Sequence, residues 1–130
     1  MQVKIDTKEK FYEITPIAAE ISATMADELR ILLLPYLKKD VKNVVLNMEQ
    51  VAELDEIAAE QLLQMQQDFY QDNASFVFCC FQKQVEAKLA ATELLELFNV
   101  TPTVSEAWDI VQMEEMEREL MDGEDWEEAG

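Results

Sequence analysis

The sequence contains no histidine, only two glycines (Gly123 and Gly130), three prolines, and a single adjacent pair of cysteines in 130 residues. Each scarcity removes a class of chemistry. Without histidine there is no imidazole to shuttle protons near neutral pH or to ligate a metal. With both glycines near the end of the chain, no Gly-rich loop can cradle a phosphate within the body of the protein. Basic residues are also few: 10 Lys and Arg against 28 Asp and Glu give a formal charge of −18. That field disfavours unaided binding to nucleic acid or to an anionic membrane. Long apolar runs are missing too. The longest candidate, Ile31–Leu37, is cut by Pro35 and falls far short of the roughly 18 residues a membrane span needs. Lys4, Asp6, Lys8 and Glu9 leave no apolar signal-peptide core near the start. The expectation is a soluble, cytoplasmic protein without direct membrane insertion.

Cys79 and Cys80 lie in a strand-like run, where successive side chains point to opposite faces and a bridge between neighbours would be strained. They read as free, buried thiols in a reducing compartment, not as a redox or metal site. The acidic residues lack the alternating Asp/Asn spacing and turn glycine of a calcium loop. No nucleophile or cofactor motif accompanies them, so catalysis by paired carboxylates has no support either. No catalytic residues, metal or cofactor are expected, and the chain is not read as an enzyme.

What is present is a core. Hydrophobic residues make up 49% of the chain, enough for one folded domain at this length. Alternation at Val3–Ile5 and Phe11–Pro16 predicts two strands joined around Lys8–Lys10. A first helix is predicted from Thr24, with Thr24–Asp27 as a capping box and Met25, Ala26, Leu29, Leu32, Leu33, Tyr36 and Leu37 as its apolar stripe. Pro35 should kink that helix or tighten its last turn. Asn43–Met48 reads as a strand buried on both faces, and Asp55 as the cap of a helix running to Gln71. Ser75–Phe81 is a nearly continuous apolar strand with an interior place in the sheet. Val85–Phe98 predicts a third helix with a break near Thr92–Glu93. Pro102–Val104 reads as a short edge strand, and Ser105 as the cap of a last helix carrying Ala107, Ile110 and Val111. The order ββαβαβαβα implies an α/β fold, a single domain whose mixed, mostly parallel sheet has four to five strands with about four helices. The domain is expected over residues 1–112. Residues 113–130 form an acidic, Met-rich extension, helical first and disordered beyond Met121.

These residues resemble the STAS domain family, which includes the anti-sigma factor antagonists. The resemblance spans roughly residues 2–112. Ala19, Ile21, Ser22, Ala26 and Leu29 match the strand and first helix, and Leu46, Asn47 and Met48 match a strand that ends Leu-Asp-Leu in relatives. Asp55, Glu56, Ile57, Ala58 and Ala59 occupy the place of the family's Asp-Ser-Ser-Gly-Leu, and Val85, Leu89, Leu94, Phe98 and Ala107 continue the outline. In signalling members the second serine is phosphorylated by a partner kinase that is itself an anti-sigma factor. Here that position is Ile57, which has no hydroxyl, while Ser22 and Asn47 replace two acids.

The resemblance implies a non-catalytic protein–protein interaction module, an anti-sigma factor antagonist-like regulator without the serine switch. Asp55, Glu56 and Ile57 would form the centre of its partner surface, with Ser22, Gln82 and Lys83 on neighbouring loops. Two alternatives follow from other family members: an accessory subunit on the ATPase of an ABC lipid-transport system, and a small-ligand binder. Asp55 reads equally as a partner contact or as a plain helix cap, and Ile57 as an exposed anchor or a buried side chain. Glu56 is either a fixed substitute for phosphoserine or an ordinary first-turn acid. In the extension, Met113, Met116, Leu120 and Met121 form an apolar strip that either docks on another protein or folds back on the domain.

Overall fold

In a computed structural model of the chain, the structure describes the backbone of residues 1–129 and the side chains of residues 1–121. The expectation of disorder in the run that follows Met121 concerns residues 122–130, whose side chains lie outside that description.

Five strands make the main sheet: β1 (Val3–Thr7), β2 (Tyr12–Pro16), β4 (Val44–Asn47), β6 (Phe76–Cys79) and β7 (Val100–Thr101), in the order β1-β2-β4-β6-β7. β1 pairs antiparallel with β2, and every other pair is parallel. Two residue pairs, β3 (Glu20–Ile21) and β5 (Glu53–Leu54), form a separate parallel ribbon. The helices are α1 (Ala23–Leu33), α2 (Glu56–Gln71), α3 (Lys83–Ala91) and α4 (Val104–Ala129). The α/β class, the mostly parallel sheet and the four helices follow the sequence pattern.

The alternation along each strand divides the core in two. Ile14, Val44, Leu46, Phe76 and Phe78 pack with Leu29 and Leu33 of α1, with Ala58, Leu62, Met65 and Phe69 of α2, and with Val85 and Leu89 of α3. Phe11, Val45, Val77 and Cys79 pack with Ala107 and Val111 of α4. Three helices therefore cover one face and α4 covers the other. Side chains buried on both faces explain why β4 and β6 read as continuous apolar runs instead of alternating ones.

Several local expectations shift by one to three residues. The cap of α1 is Ser22, whose hydroxyl accepts from the Met25 amide at 3.3 Å, so Thr24 lies inside the helix. Pro35 does tighten the chain, since Leu34–Lys38 is a 3-10 turn, but Leu32 of the expected stripe faces outward. The break expected near Thr92–Glu93 is where α3 ends: Glu93 takes a positive φ of 62° before a 3-10 turn at Leu95–Leu97. The edge strand is Val100–Thr101, not Pro102–Val104, because Pro102 brings no N–H to a ladder and pairing stops before it. The cap of α4 is Thr103 and not Ser105: its hydroxyl accepts from the Glu106 amide at 3.1 Å, and the Glu106 side chain lies 3.4 Å from the same hydroxyl.

The cysteines also depart from simple alternation. Cys79 is the last residue of β6, and Cys80 turns away at φ 64°, so both side chains meet the cluster under α4. Both are free thiols. Burial pushes the Cys79 thiol well up, with the neighbouring Cys80 adding to it, and burial also raises Cys80. The native protein is therefore expected to leave Cys79 unlabelled by a thiol reagent at pH 8, with both cysteines reacting fully in denaturant. A group whose folded pKa is raised keeps its stabilisation below the unfolded value of about 8.5 and loses it as pH rises further. Urea midpoints should accordingly fall on the alkaline side of pH 9. Rapid native labelling of Cys79 would contradict this packing.

The second half of α4 crosses the edge of the sheet where the parallel strands begin, running past residue 112 without a break. Asn43, just before β4, is the hub of the contact. Its amide nitrogen donates to the Lys10 carbonyl at 2.9 Å and to Glu115 Oε1 at 2.6 Å, and its oxygen accepts from the Ser75 amide at 2.8 Å. Arg118 reaches Asn43 Oδ1 at 3.4 Å and Ser75 Oγ at 3.3 Å. Tyr70 donates to Glu114 at 2.8 Å and accepts from Asn99. Burial and then the Glu114 hydrogen bond raise its phenol, so the bond persists at ordinary pH.

Candidate functional site

The opposite edge, at the C-terminal ends of β2, β4 and β6, gathers the residues singled out in the sequence. Parallel α/β sheets characteristically present their binding surfaces at this edge, because the loops leaving the strands converge there. The loop after β2 and the loop after β4 are zipped together by the β3–β5 ribbon. Ala19 O accepts from the Ala52 and Glu53 amides at 2.7 and 3.0 Å, and Ile21 O accepts from the Asp55 amide at 3.1 Å. The pairing sets the first turns of α1 and α2 side by side, and Gln61 Nε2 donates to Asp27 Oδ1 at 2.8 Å between them.

Asp55 is the cap of α2. One carboxylate oxygen accepts from the Ile57 amide at 2.8 Å and from the Ala58 amide at 3.4 Å. Its charge and that of Glu56 sit at the positive end of the helix dipole, which favours both. Ile57 follows in the first turn and is 58% exposed, while Ala58 and Ala59 are fully buried. The two small residues let the helix approach the sheet, and the isoleucine is left pointing away from it. Of the two readings open for Ile57, the structure shows the exposed one.

Ser22 lies across the ribbon from Asp55, half-buried, with its hydroxyl committed to the α1 cap. Gln82 precedes α3, and instead of capping that helix its amide donates to Glu49 O at 2.8 Å, tying the third loop to the second. Lys83 is exposed beside it. Asn47 turns inward: its amide nitrogen donates to Glu13 at 3.1 Å and its oxygen accepts from the Glu49 amide at 3.0 Å. It shapes the loop and does not line the surface.

Two features of this edge were not readable in the sequence. One is the β3–β5 ribbon, whose two-residue strands carry no periodicity. The other is a groove of about 490 Å³ between β5 and α3, lined by Ala52, Glu53, Leu54, Gln84, Val85 and Lys88. Lys88 Nζ donates to Leu54 O at 3.0 Å along its floor. Glu20, Glu49, Glu53, Glu56 and Glu60 are exposed on these loops and on the start of α2. Ile57 is thus an exposed apolar side chain on an edge rich in acids, with Lys83 and Lys88 exposed on α3. Among the described residues, no helix is long and apolar enough to cross a membrane.

Solved structures share this architecture. A Thermotoga maritima protein described as a candidate anti-sigma factor antagonist superposes with a TM-score of 0.73 at 17% identity, covering 85% of this chain and 94% of that one. An anti-sigma factor antagonist from Mycobacterium paratuberculosis gives 0.71 at 14%, covering 85% and 93%. The anti-sigma factor antagonist SpoIIAA, a Bacillus cell-fate determinant, gives 0.66 at 13% in its unphosphorylated form, covering 85% and 96%. A search of curated proteins gives no match. The model of the STAS domain matches residues 3–107, which includes all seven strands and every residue of the candidate surface, and the chain therefore belongs to the STAS domain family.

Proposed function

We propose that this protein is a non-catalytic regulator that binds a protein partner through the edge centred on Ile57, and that the binding is not switched by phosphorylation there. The observation that carries the reading is the exposed isoleucine in the first turn of α2, beside the capping Asp55. An exposed apolar side chain on an edge rich in acids suits a partner with a small apolar pocket and a basic rim. The partner class is that of the anti-sigma factors or a related ATP-binding regulator. Asp55 contributes by fixing the backbone from which Ile57 projects, Ser22 by capping the neighbouring α1, and Gln82 by tying the third loop to the second.

Phosphate transfer tests the absence of a switch. A serine kinase acting on STAS domains is expected to leave the native chain unlabelled by radioactive ATP, whereas Ile57→Ser, at the same exposed position, gains label. Of the hydroxyls that could carry a substitute switch, Ser22 is engaged in the α1 cap and Thr92 with the Lys88 and Leu89 carbonyls at 3.1 and 3.2 Å, while Thr24 in the first turn of α1 is exposed. Incorporation into the native chain at Ser22 or Thr92 would show a switch to be present and overturn this part of the proposal.

A further inference from the structure

Helix α4 has two apolar faces, and only one is used. Ala107, Val111, Glu114 and Arg118, at spacings of four, three and four, face the sheet or bond to its edge. Met113, Met116 and Leu120, at spacings of three and four, lie about half a turn away on the helix. They are 49, 61 and 64% exposed. A helix apolar on both sides is expected to be covered on both. With 26 residues, α4 is about 39 Å long, so it reaches well past strands of two to five residues.

Charge decides what can cover the outer strip. Asp109, Glu117 and Glu119 are exposed around it, and residues 105–130 carry eleven acids and one base. That single base, Arg118, is turned inward onto Asn43 and Ser75. A second copy of the chain would bring the same acids face to face with no cation on either strip to pair with them. An anionic lipid surface is repelled for the same reason. Flexible methionines in an acidic frame suit a helix with apolar residues on one side and Lys or Arg on the other.

We infer that the Met113–Met116–Leu120 face of α4 is a second docking surface, and that it takes a basic amphipathic helix of a partner protein. It lies at the strand-start edge of the sheet, opposite the Ile57 edge, so the two surfaces can be occupied together. The protein then acts as an adaptor holding two partners on one rigid sheet.

The probe is an 18-residue Leu/Lys peptide with helical amphipathic spacing, labelled for fluorescence anisotropy, and a scrambled isomer of the same composition. Titrations use the intact chain at about 0.15 M salt, where long-range attraction between exposed charges is largely screened. The native chain is expected to bind the amphipathic peptide at least ten-fold more tightly than the isomer. The triple variant Met113→Gln, Met116→Gln, Leu120→Gln keeps every charge and should lose at least ten-fold in affinity, with circular dichroism unchanged. Ile57→Asp should bind the peptide as the native chain does. Equal binding by the triple variant would mean that acidic charge alone attracts the peptide, and the proposal would fall. Self-association of the native chain in sedimentation equilibrium, abolished in the triple variant, would assign the strip to a second copy and overturn it equally.

Discussion

Ile57→Asp is expected to weaken partner binding at least about 30-fold, the factor corresponding to the 2 kcal/mol that marks a central interface anchor. The fold should not notice the change. At 58% exposure the isoleucine contributes little burial, and an acid in the first turn of α2 is favoured by the helix dipole. In the complex the same carboxylate would enter an apolar pocket and lose its water without gaining a partner. Ile57→Ala, which removes contact area without adding charge, should cost less, about ten-fold. The measurement is affinity for the partner co-purified with the native chain, alongside urea midpoints of all three proteins. Native affinity in the Asp variant, with an unchanged midpoint, would place the interface elsewhere on the molecule.

The framework of this fold was legible because it is written in burial. Val44–Leu46 and Phe76–Cys79 are apolar on both faces, and that requirement shows in sequence as an unbroken run. The stripe of α2 and its Asp55 cap were equally plain, since the periodicity and the capping residue agree. What escaped was decided by single hydrogen bonds. Ser22 and Thr24, or Thr103 and Ser105, are chemically interchangeable as caps, and only the approach of the preceding strand selects between them. The cysteines were misplaced for a similar reason. Strict alternation holds within a strand, but Cys80 has already left β6 with a left-handed backbone.

The candidate surface was legible in part. Asp55, Glu56 and Ile57 stand out as a local run, and Ser22 and Gln82 join them through backbone contacts made by Ile21 and Glu49. Nothing in the sequence indicates those contacts, because the β3–β5 ribbon depends on where the strands end and not on residue type. Lys83 comes along as the neighbour of Gln82, with no contact that ties it to Ile57. The α4 strip shows the reverse situation. Its spacing was visible, but which side of the helix the sheet occupies is settled by the packing of Ala107 and Val111 and by the bonds of Glu114, Glu115 and Arg118.

Phe78→Ala should be the most damaging single truncation, costing about 4 kcal/mol of a total stability that for domains of this kind is about 5–15 kcal/mol. Phe78 is fully buried on β6, between β4 and β7. Its ring lies 5.1 Å from Phe76, 4.8 Å from Phe98 and 6.0 Å from Phe81, in tilted and edge-on arrangements that aromatic pairs prefer. The void left by the ring would be surrounded by large, rigid side chains that cannot close it. A urea titration should show a lower midpoint with an unchanged slope, the signature of lost stability without a change in the surface exposed on unfolding. The effect should also reach the candidate surface. Phe81 directly precedes Gln82, so loosening the Phe78–Phe81–Phe98 cluster frees the loop whose amide holds Glu49. Partner affinity should fall in Phe78→Ala even at temperatures where the domain remains folded, whereas truncating Phe11, packed against Trp108 under α4 at 5.4 Å, should lower stability and leave affinity alone. A loss below about 1 kcal/mol for Phe78→Ala, small for a phenylalanine deleted from a packed core, would show that the aromatic row is not the centre of the fold.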